Sequence, residues 1–279
     1  MQILLANAKI MFPPDKVNRK PSSALMEQRE QSEACSDYAE SRQKKTLSQP
    51  MFQSVANMLA SEMAKMDALE LAKQLDCSRS IAAENWRRFQ DFFVSDKIPT
   101  ILAYNGQAYK HLRANTLSEE ALAFGQKHLW ITCFLYGLLR PMDGIVPYRM
   151  EHCVTLEATH DKPVNQFWKD KLTDVLISSV KADDGVLIHL STEEYEHLFD
   201  WKRVKEEVKV VQPLFYVRKP NGELKMQAVW AKSCRGAMVR MILQQQLMFP
   251  EELKAFSHEG FQYDPHLGED AYPHFVRES

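Results

Sequence analysis

The stretch FLYGLLRPMDGIVPYRME, Phe134 to Glu151, sets an apolar run against two glycines, two prolines and two arginines. A core strand needs no arginine, and a solvated loop needs no Phe-Leu-Tyr. The mixture reads as chain that leaves the core, turns sharply and presents cations at fixed places. Proline fixes its own φ and restricts the residue before it. Arg140, just before Pro141, and Arg149, close behind Pro147, therefore sit on stiffened backbone. Arginine suits two-pronged recognition of phosphate or carboxylate, and Tyr136 and Tyr148 can stack or hydrogen-bond nearby. The competing reading is a buried ion pair, with Arg140 or Arg149 satisfied by Asp143 or Glu151.

Working outward, HLWITCFLYG is a buried strand or an apolar helix, because periodicity alone does not choose. Downstream, CVTLEA reads as a strand. PVNQFWKDKLTDVLISSV reads as an amphipathic helix with Val164, Phe167, Trp168, Leu172, Val175 and Leu176 inward. GVLIHLS is a strand and EEYEHLF a short helix. VKVVQPLFYVRKPNGELKMQAVWAK has the pattern of a hairpin turning at Asn221-Gly222. GAMVRMILQQQLMF is a helix, and Pro250 opens another. Toward the start, QILLANAKIMF reads as a short buried strand, and MFQSVANMLASEMAKM and SIAAENWRRFQDFF as helices. PTILAYNG reads as a strand stopped by Gly106, and the Thr116/Glu119 spacing predicts a helix start. Strands and helices alternate without a strict βαβ rhythm, so the expectation is an α+β fold with a mixed sheet flanked by helices. One domain is expected over residues 1–279, with a polar loop or insertion at 12–50 and a C-terminal tail at 265–279.

The net charge is −2, so any nucleic-acid contact must come from a local patch of Lys and Arg. Cys35, Cys77, Cys133, Cys153 and Cys234 are odd in number, widely spaced and free of any Cys-x-x-Cys pair. That is the pattern of reduced, buried thiols, not of a disulfide frame or a zinc ribbon. No segment approaches the roughly 20 apolar residues of a membrane span, and the first residues lack the charged start of a signal peptide. A cytoplasmic protein without membrane contact is expected.

The second segment with chemical character is VWAKSCRGAMVRM, Val229 to Met241. It reads as a strand feeding into a helix, with Lys232, Ser233, Arg235 and Gly236 at the junction and Arg240 on the same half of the helix surface. Free amides at a helix start, a hydroxyl and cations together suit a phosphate or carboxylate. Equally, Arg235 pairs with a carboxylate and Gly236 eases packing. AYNGQAY places Tyr104, Asn105 and Tyr109 around a glycine, most simply a turn with packed tyrosines. In LSTEEY, Ser191 or Thr192 is an expected N-cap, with Glu193 and Glu194 offsetting the dipole. His258, His266 and His274 recur every eighth residue, a spacing that matches no metal signature. No nucleophile elbow, dinucleotide fingerprint or P-loop is present, and no metal or cofactor is expected.

Taken in order, these segments resemble the bacterial YaaA peroxide-stress family. LYGLLRPMDGIVPYRME is similar to its Leu-Tyr-Gly-x-Leu-Arg-Pro-x-Asp and Pro-Tyr-Arg-x-Glu block. NAKIM, AYNGQAY, QFW, LSTEEY, AKSCRGAMVR and SHEGF resemble its shorter blocks. Departures are Ala6-Asn7 where the family has serine-proline, His189 where asparagine is common, and Phe261 where tyrosine is usual. The resemblance implies an unusual α+β fold with a positively charged cleft and a helix-hairpin-helix-like element. It further implies protection against hydrogen peroxide, an effect on free iron, and binding of DNA, duplex or distorted, without sequence preference. The residues matched to the cleft are Lys9, Arg140, Tyr148, Arg149, Lys232, Ser233, Arg235 and Arg240. The alternative is an enzyme acting on a nucleotide, damaged base or other anionic small molecule there, with Lys9, Tyr104, Glu193 or Glu259 as acid, base or nucleophile. A third reading gives iron handling to the histidines and carboxylates of the tail. No protein partner is implied.

Overall fold

The computed structural model describes residues 1–12 and 47–279. Most of the polar 12–50 stretch therefore lies outside the described residues. The chain runs from β1 (Gln2–Ala6) through helices α1 (Gln53–Met63), α2 (Ala68–Gln74) and α3 (Arg79–Gln90). It continues through β2 (Ile98–Pro99), α4 (Thr100–Ala103), α5 (Gln107–Leu112) and α6 (Glu119–His128). Next come β3 (Leu129–Cys133), β4 (Gly137–Leu139), β5 (Gly144–Ile145) and the long helix α7 (Val164–Lys181). Then follow β6 (Val186–Leu190), α8 (Glu193–Glu196), α9 (Trp201–Glu207) and β7 (Lys209–Val211). The last part holds β8 (Leu214–Arg218), β9 (Leu224–Lys225), α10 (Ala228–Gln245), β10 (Ser257–His258), β11 (Phe261–Glu269) and β12 (Tyr272–Glu278).

Two five-stranded sheets carry the fold. The first has the order β4-β3-β1-β6-β7. Strands β3, β1, β6 and β7 are parallel and β4 runs against them. β3 is buried along its whole length and β1 and β6 nearly so, which is why LLA, LWITC and VLIHL are apolar runs without alternation. The parallel pairing settles LWITC as a strand, with His128 ending the helix before it. From β1 the chain crosses to β3 on one side; from β6 it crosses to β7 on the other. The connections therefore diverge at the carboxyl ends of β1 and β6, where open parallel sheets leave a crevice. The second sheet has the order β10-β11-β12-β8-β9 and is also mixed. The α+β expectation of mixed sheets flanked by helices holds, with the difference that the central sheet is mostly parallel.

Four local expectations are corrected. PTILAYNG is not a strand: the amide and hydroxyl of Thr100 both donate to the Asp143 carbonyl, at 2.9 and 2.8 Å, and wind the chain into α4. Helix α6 is capped by Ser118, whose Oγ accepts from the Ala121 amide at 3.2 Å, while Thr116 turns its hydroxyl to the Arg113 carbonyl. CVTLEA forms only a bridge between Thr155 and Pro163 and then a short 3-10 turn. Residues 265–279 are not a tail, because β12 lies in the middle of the second sheet, parallel to β8 and antiparallel to β11. The hairpin at Asn221-Gly222 is present as β8–β9, with Gly222 at φ 83°. Among the described residues, no helix is long and apolar enough to cross a membrane.

Candidate functional site

The crevice at the carboxyl ends of β1 and β6 gathers most of the polar chemistry. Beyond β1, the Asn7 amide still bonds to Thr132 on β3 at 3.2 Å, and Lys9 follows at the surface. The extended segment 146–151 runs over this end of the sheet. Tyr148 Oη accepts from Asn7 Nδ2 at 3.2 Å and lies 2.9 Å from Tyr104 Oη. Tyr109 Oη donates to the Ala6 carbonyl at 3.1 Å. Burial pushes all three phenols well above their ordinary range, so they are neutral hydrogen-bonding groups. Beneath them, Cys133 Sγ accepts from the Tyr136 amide, and burial raises its thiol to about 11.

Charge enters through Glu151, which is only 5% exposed. Its Oε2 lies 2.5 Å from Lys9 Nζ and its Oε1 2.8 Å from Arg149 Nη2. A buried carboxylate is tolerated because two cations meet it. The satisfaction is incomplete: Glu151 Oε1 and Arg149 Nε lack partners in hydrogen-bond geometry, as does Asn7 Oδ1. Across the crevice, His189 on β6 is buried with both ring nitrogens unpartnered, and the Ser191 hydroxyl is buried without a partner. Ser191 is thus not the expected N-cap, and Thr192, at the N-cap position of α8, makes no side-chain cap bond. Burial, reinforced by the Arg235 guanidinium, lowers the His189 pKa to about 3. The ring is neutral, and its 3.6 Å approach to Glu196 is not an ion pair. Arg235 itself is half-buried, and its guanidinium has no hydrogen bond or ion pair among the described residues. Burial lowers its pKa, with Cys234 and Glu196 acting the other way.

Lys9, Tyr104, Tyr148 and Arg149 are joined at this crevice through Asn7, Glu151 and the 146–151 segment, and Arg235 acts on it electrostatically through His189 on β6 and Glu196 on α8. The structure sets the others elsewhere. Arg140 lies at the opposite end of the sheet. Its guanidinium is 3.3 Å from the Trp130 ring centroid and bonds to Gln2 Oε1, the Leu129 carbonyl and Ser179. Only its backbone amide meets Asp143. Arg240 donates to the carbonyls of Leu112 and Arg113 and to Thr116 Oγ1, closing the end of α5. Helix α10 starts at Ala228, so Lys232, Ser233 and Arg235 lie inside it and no free amides surround them. Ser233 Oγ is buried, donates to the Val229 carbonyl and accepts from Gln107 Nε2. Lys232 is exposed one turn before Arg235. Glu193 is exposed at the start of α8, and Glu259 sits in the turn between β10 and β11. Sequence reasoning missed Asn7, His189 and Ser191, since a buried polar atom without a partner has no signature in the chain itself.

Among the described residues, two groups bring three possible metal ligands within 4.8 Å of one another: Glu151, His152 and Glu194 at the crevice, and His111, His258 and Glu259 between α5 and the β10–β11 turn. In the first, Lys9 and Arg149 already occupy Glu151.

Residues 1–267 match a family model described as peroxide stress protein YaaA. The chain is 40% identical over 223 residues to a UPF0246 protein of Bacteroides thetaiotaomicron, covering 79% of this chain and 86% of that one. It is 43% identical over 220 residues to a UPF0246 protein of Phocaeicola vulgatus, covering 78% and 86%. A UPF0246 protein of Crocosphaera subtropica is 32% identical over 235 residues, covering 83% and 92%.

Proposed function

Because the chain belongs to the peroxide stress protein YaaA family, we propose that it limits peroxide and iron-mediated damage by holding DNA, duplex or distorted, through phosphates set against Arg235. The observation that carries this reading is the half-buried Arg235 guanidinium without a partner among the described residues. A desolvated cation left unpaired is costly, and a phosphate oxygen satisfies it with charge-assisted hydrogen bonds. Lys232, one turn away, supplies a second cation. Lys9 and Arg149 share Glu151, so that trio contributes one net positive charge. The binding is therefore modest, using about two or three phosphates where the sequence alone suggested six cations. Backbone contacts of this kind carry no base readout.

The test is fluorescence anisotropy with duplex and bubble DNA across a salt series. A log–log slope of about −2 to −3 is expected, from about −0.9 per phosphate neutralised. Arg235→Ala lowers affinity about 5–10-fold and flattens the slope by about one. A flat salt response, or unchanged affinity in the Arg149→Ala, Arg235→Ala double variant, overturns the proposal.

A second reading is favoured by the buried atoms of Asn7, His189 and Ser191 that lack hydrogen-bond partners. They suit a compact polar group, such as a nucleotide or damaged base, on which the protein acts as an enzyme. Borohydride trapping on abasic DNA tests its lyase form: an adduct mapped to Lys9 supports it, and no lysine adduct removes it.

A further inference from the structure

We propose that His111, His258 and Glu259 form a binding site for a divalent first-row transition-metal ion, in a groove lined by α5, α10 and the β10–β11 turn. His111 lies near the end of α5 and His258 ends β10, 147 residues later. His258 Nε2 faces His111 Nδ1 at 3.0 Å, with the rings edge to face at 5.0 Å between centroids. Glu259 Oε2 is 3.9 Å from His258 Nε2, and one ligand atom of each residue lies within 4.8 Å of the others. Two ring nitrogens facing at this distance hold at most one proton between them. A metal at about 2.0–2.1 Å from each nitrogen, in tetrahedral geometry, sets them about 3.3 Å apart. The pair needs to open by only a few tenths of an ångström.

The surroundings are arranged as a metal site requires. Glu259 holds a φ of 49°, a left-handed conformation rare for glutamate, and Gly260 follows at φ 83°. This turn sets the carboxylate beside the two rings. His111 Nε2, the nitrogen facing away from His258, lies 3.2 Å from the Gln107 side-chain amide, which also bonds to Ser233 on α10 at 2.9 Å. Metal-bound imidazoles characteristically have their second nitrogen fixed in this way. With metal on Nδ1, the proton sits on Nε2 and Gln107 turns its amide oxygen to accept it. Two imidazoles and a carboxylate are the ligand set of zinc and of non-haem iron or cobalt sites, not of magnesium or calcium. The three residues line a groove of about 670 Å³ with Lys110, Arg113 and Arg240 at its rim. Three protein ligands leave open positions on the metal facing that groove, and the cationic rim suits an anion there. Arg240 does not compete for Glu259, being held by Leu112, Arg113 and Thr116.

The experiment titrates the metal-stripped full chain with Co²⁺, read by visible absorption, and with Zn²⁺, read by calorimetry. One equivalent is expected, with the Co²⁺ bands of a mixed nitrogen and oxygen site. His111→Ala and His258→Ala each weaken binding at least a hundredfold. Gln107→Ala, which removes the partner of His111 Nε2 and no metal ligand, weakens it about 10–100-fold. Glu151→Gln leaves it unchanged. Absence of stoichiometric binding in the unaltered chain overturns the proposal. So does binding that survives both histidine variants, or that is lost with Glu151→Gln instead.

Discussion

Arg140 and Arg235 carry the same guanidinium into opposite situations. Arg140 lies over Trp130 and bonds to Gln2, Leu129 and Ser179, so its contribution is to the fold. Arg140→Ala is expected to cost about 2–3 kcal/mol, from the cation–π contact and the lost hydrogen bonds. Thermal melting measures this, and DNA affinity at permissive temperature stays unchanged. Arg235→Ala should behave in the reverse way, with affinity reduced and melting unchanged or raised, because a desolvated, unpaired charge is removed. His189 supplies a pH test. Its pKa lies near 3 in the fold against 6.5 ordinarily. The unfolded chain therefore takes up a proton below 6.5 that the folded chain refuses. The stability owed to neutral His189 is fully present above pH 6.5 and is lost as pH falls toward 3, at about 1.4 kcal/mol per unit. His189→Asn should flatten the stability profile in that window, as read by urea unfolding across pH.

Helices α5 and α10 meet at Gly236, where any Cβ would overlap the backbone carbonyl of Ala108. Gly236→Ala gains at most about 1 kcal/mol of helix propensity. The overlap outweighs it, and a net loss of about 3 kcal/mol or more is expected in chemical denaturation. At the start of α6, Ser118→Ala should cost about 1 kcal/mol, whereas Thr116→Ala leaves that cap intact. Elements whose signals are local were legible in the sequence: the periodic helix α7, the Asn221-Gly222 turn and the apolar strands β1 and β6. Those fixed by distant partners were not. Helix α4 depends on hydrogen bonds from Thr100 to Asp143. Ala228-Val229-Trp230 reads as more strand because no glycine or proline separates β9 from α10. The site divided in the same way. Lys9, Arg149 and Arg235 stand out as cations in stiff or helical segments, while Ser191 and His189 matter only through the neighbours they lack.

At the scale of the molecule, β12 is the strand that a reading of local pattern leaves out. It lies between β8 and β11, so its partners are some 60 residues away on one side, as in His274 against Leu214, and adjacent on the other. Deleting residues 265–279 removes the middle of the second sheet and exposes Phe215 and Phe261, both buried against Phe275 or beside it. The expected result is loss of cooperative unfolding and of soluble yield, measured by circular dichroism and sedimentation. The buried sulfurs have a consequence of a different kind. The thiolate, not the thiol, attacks hydrogen peroxide, taking one oxygen as sulfenic acid and releasing hydroxide. Cys133, under the crevice, is held to about 11, and Cys234, beside Arg235, to about 12. At neutral pH both stay protonated and buried, so among the cysteines of the described residues sulfenic acid is expected first at exposed Cys153. A burst of oxidant thus spares the two sulfurs under the crevice and beside Arg235.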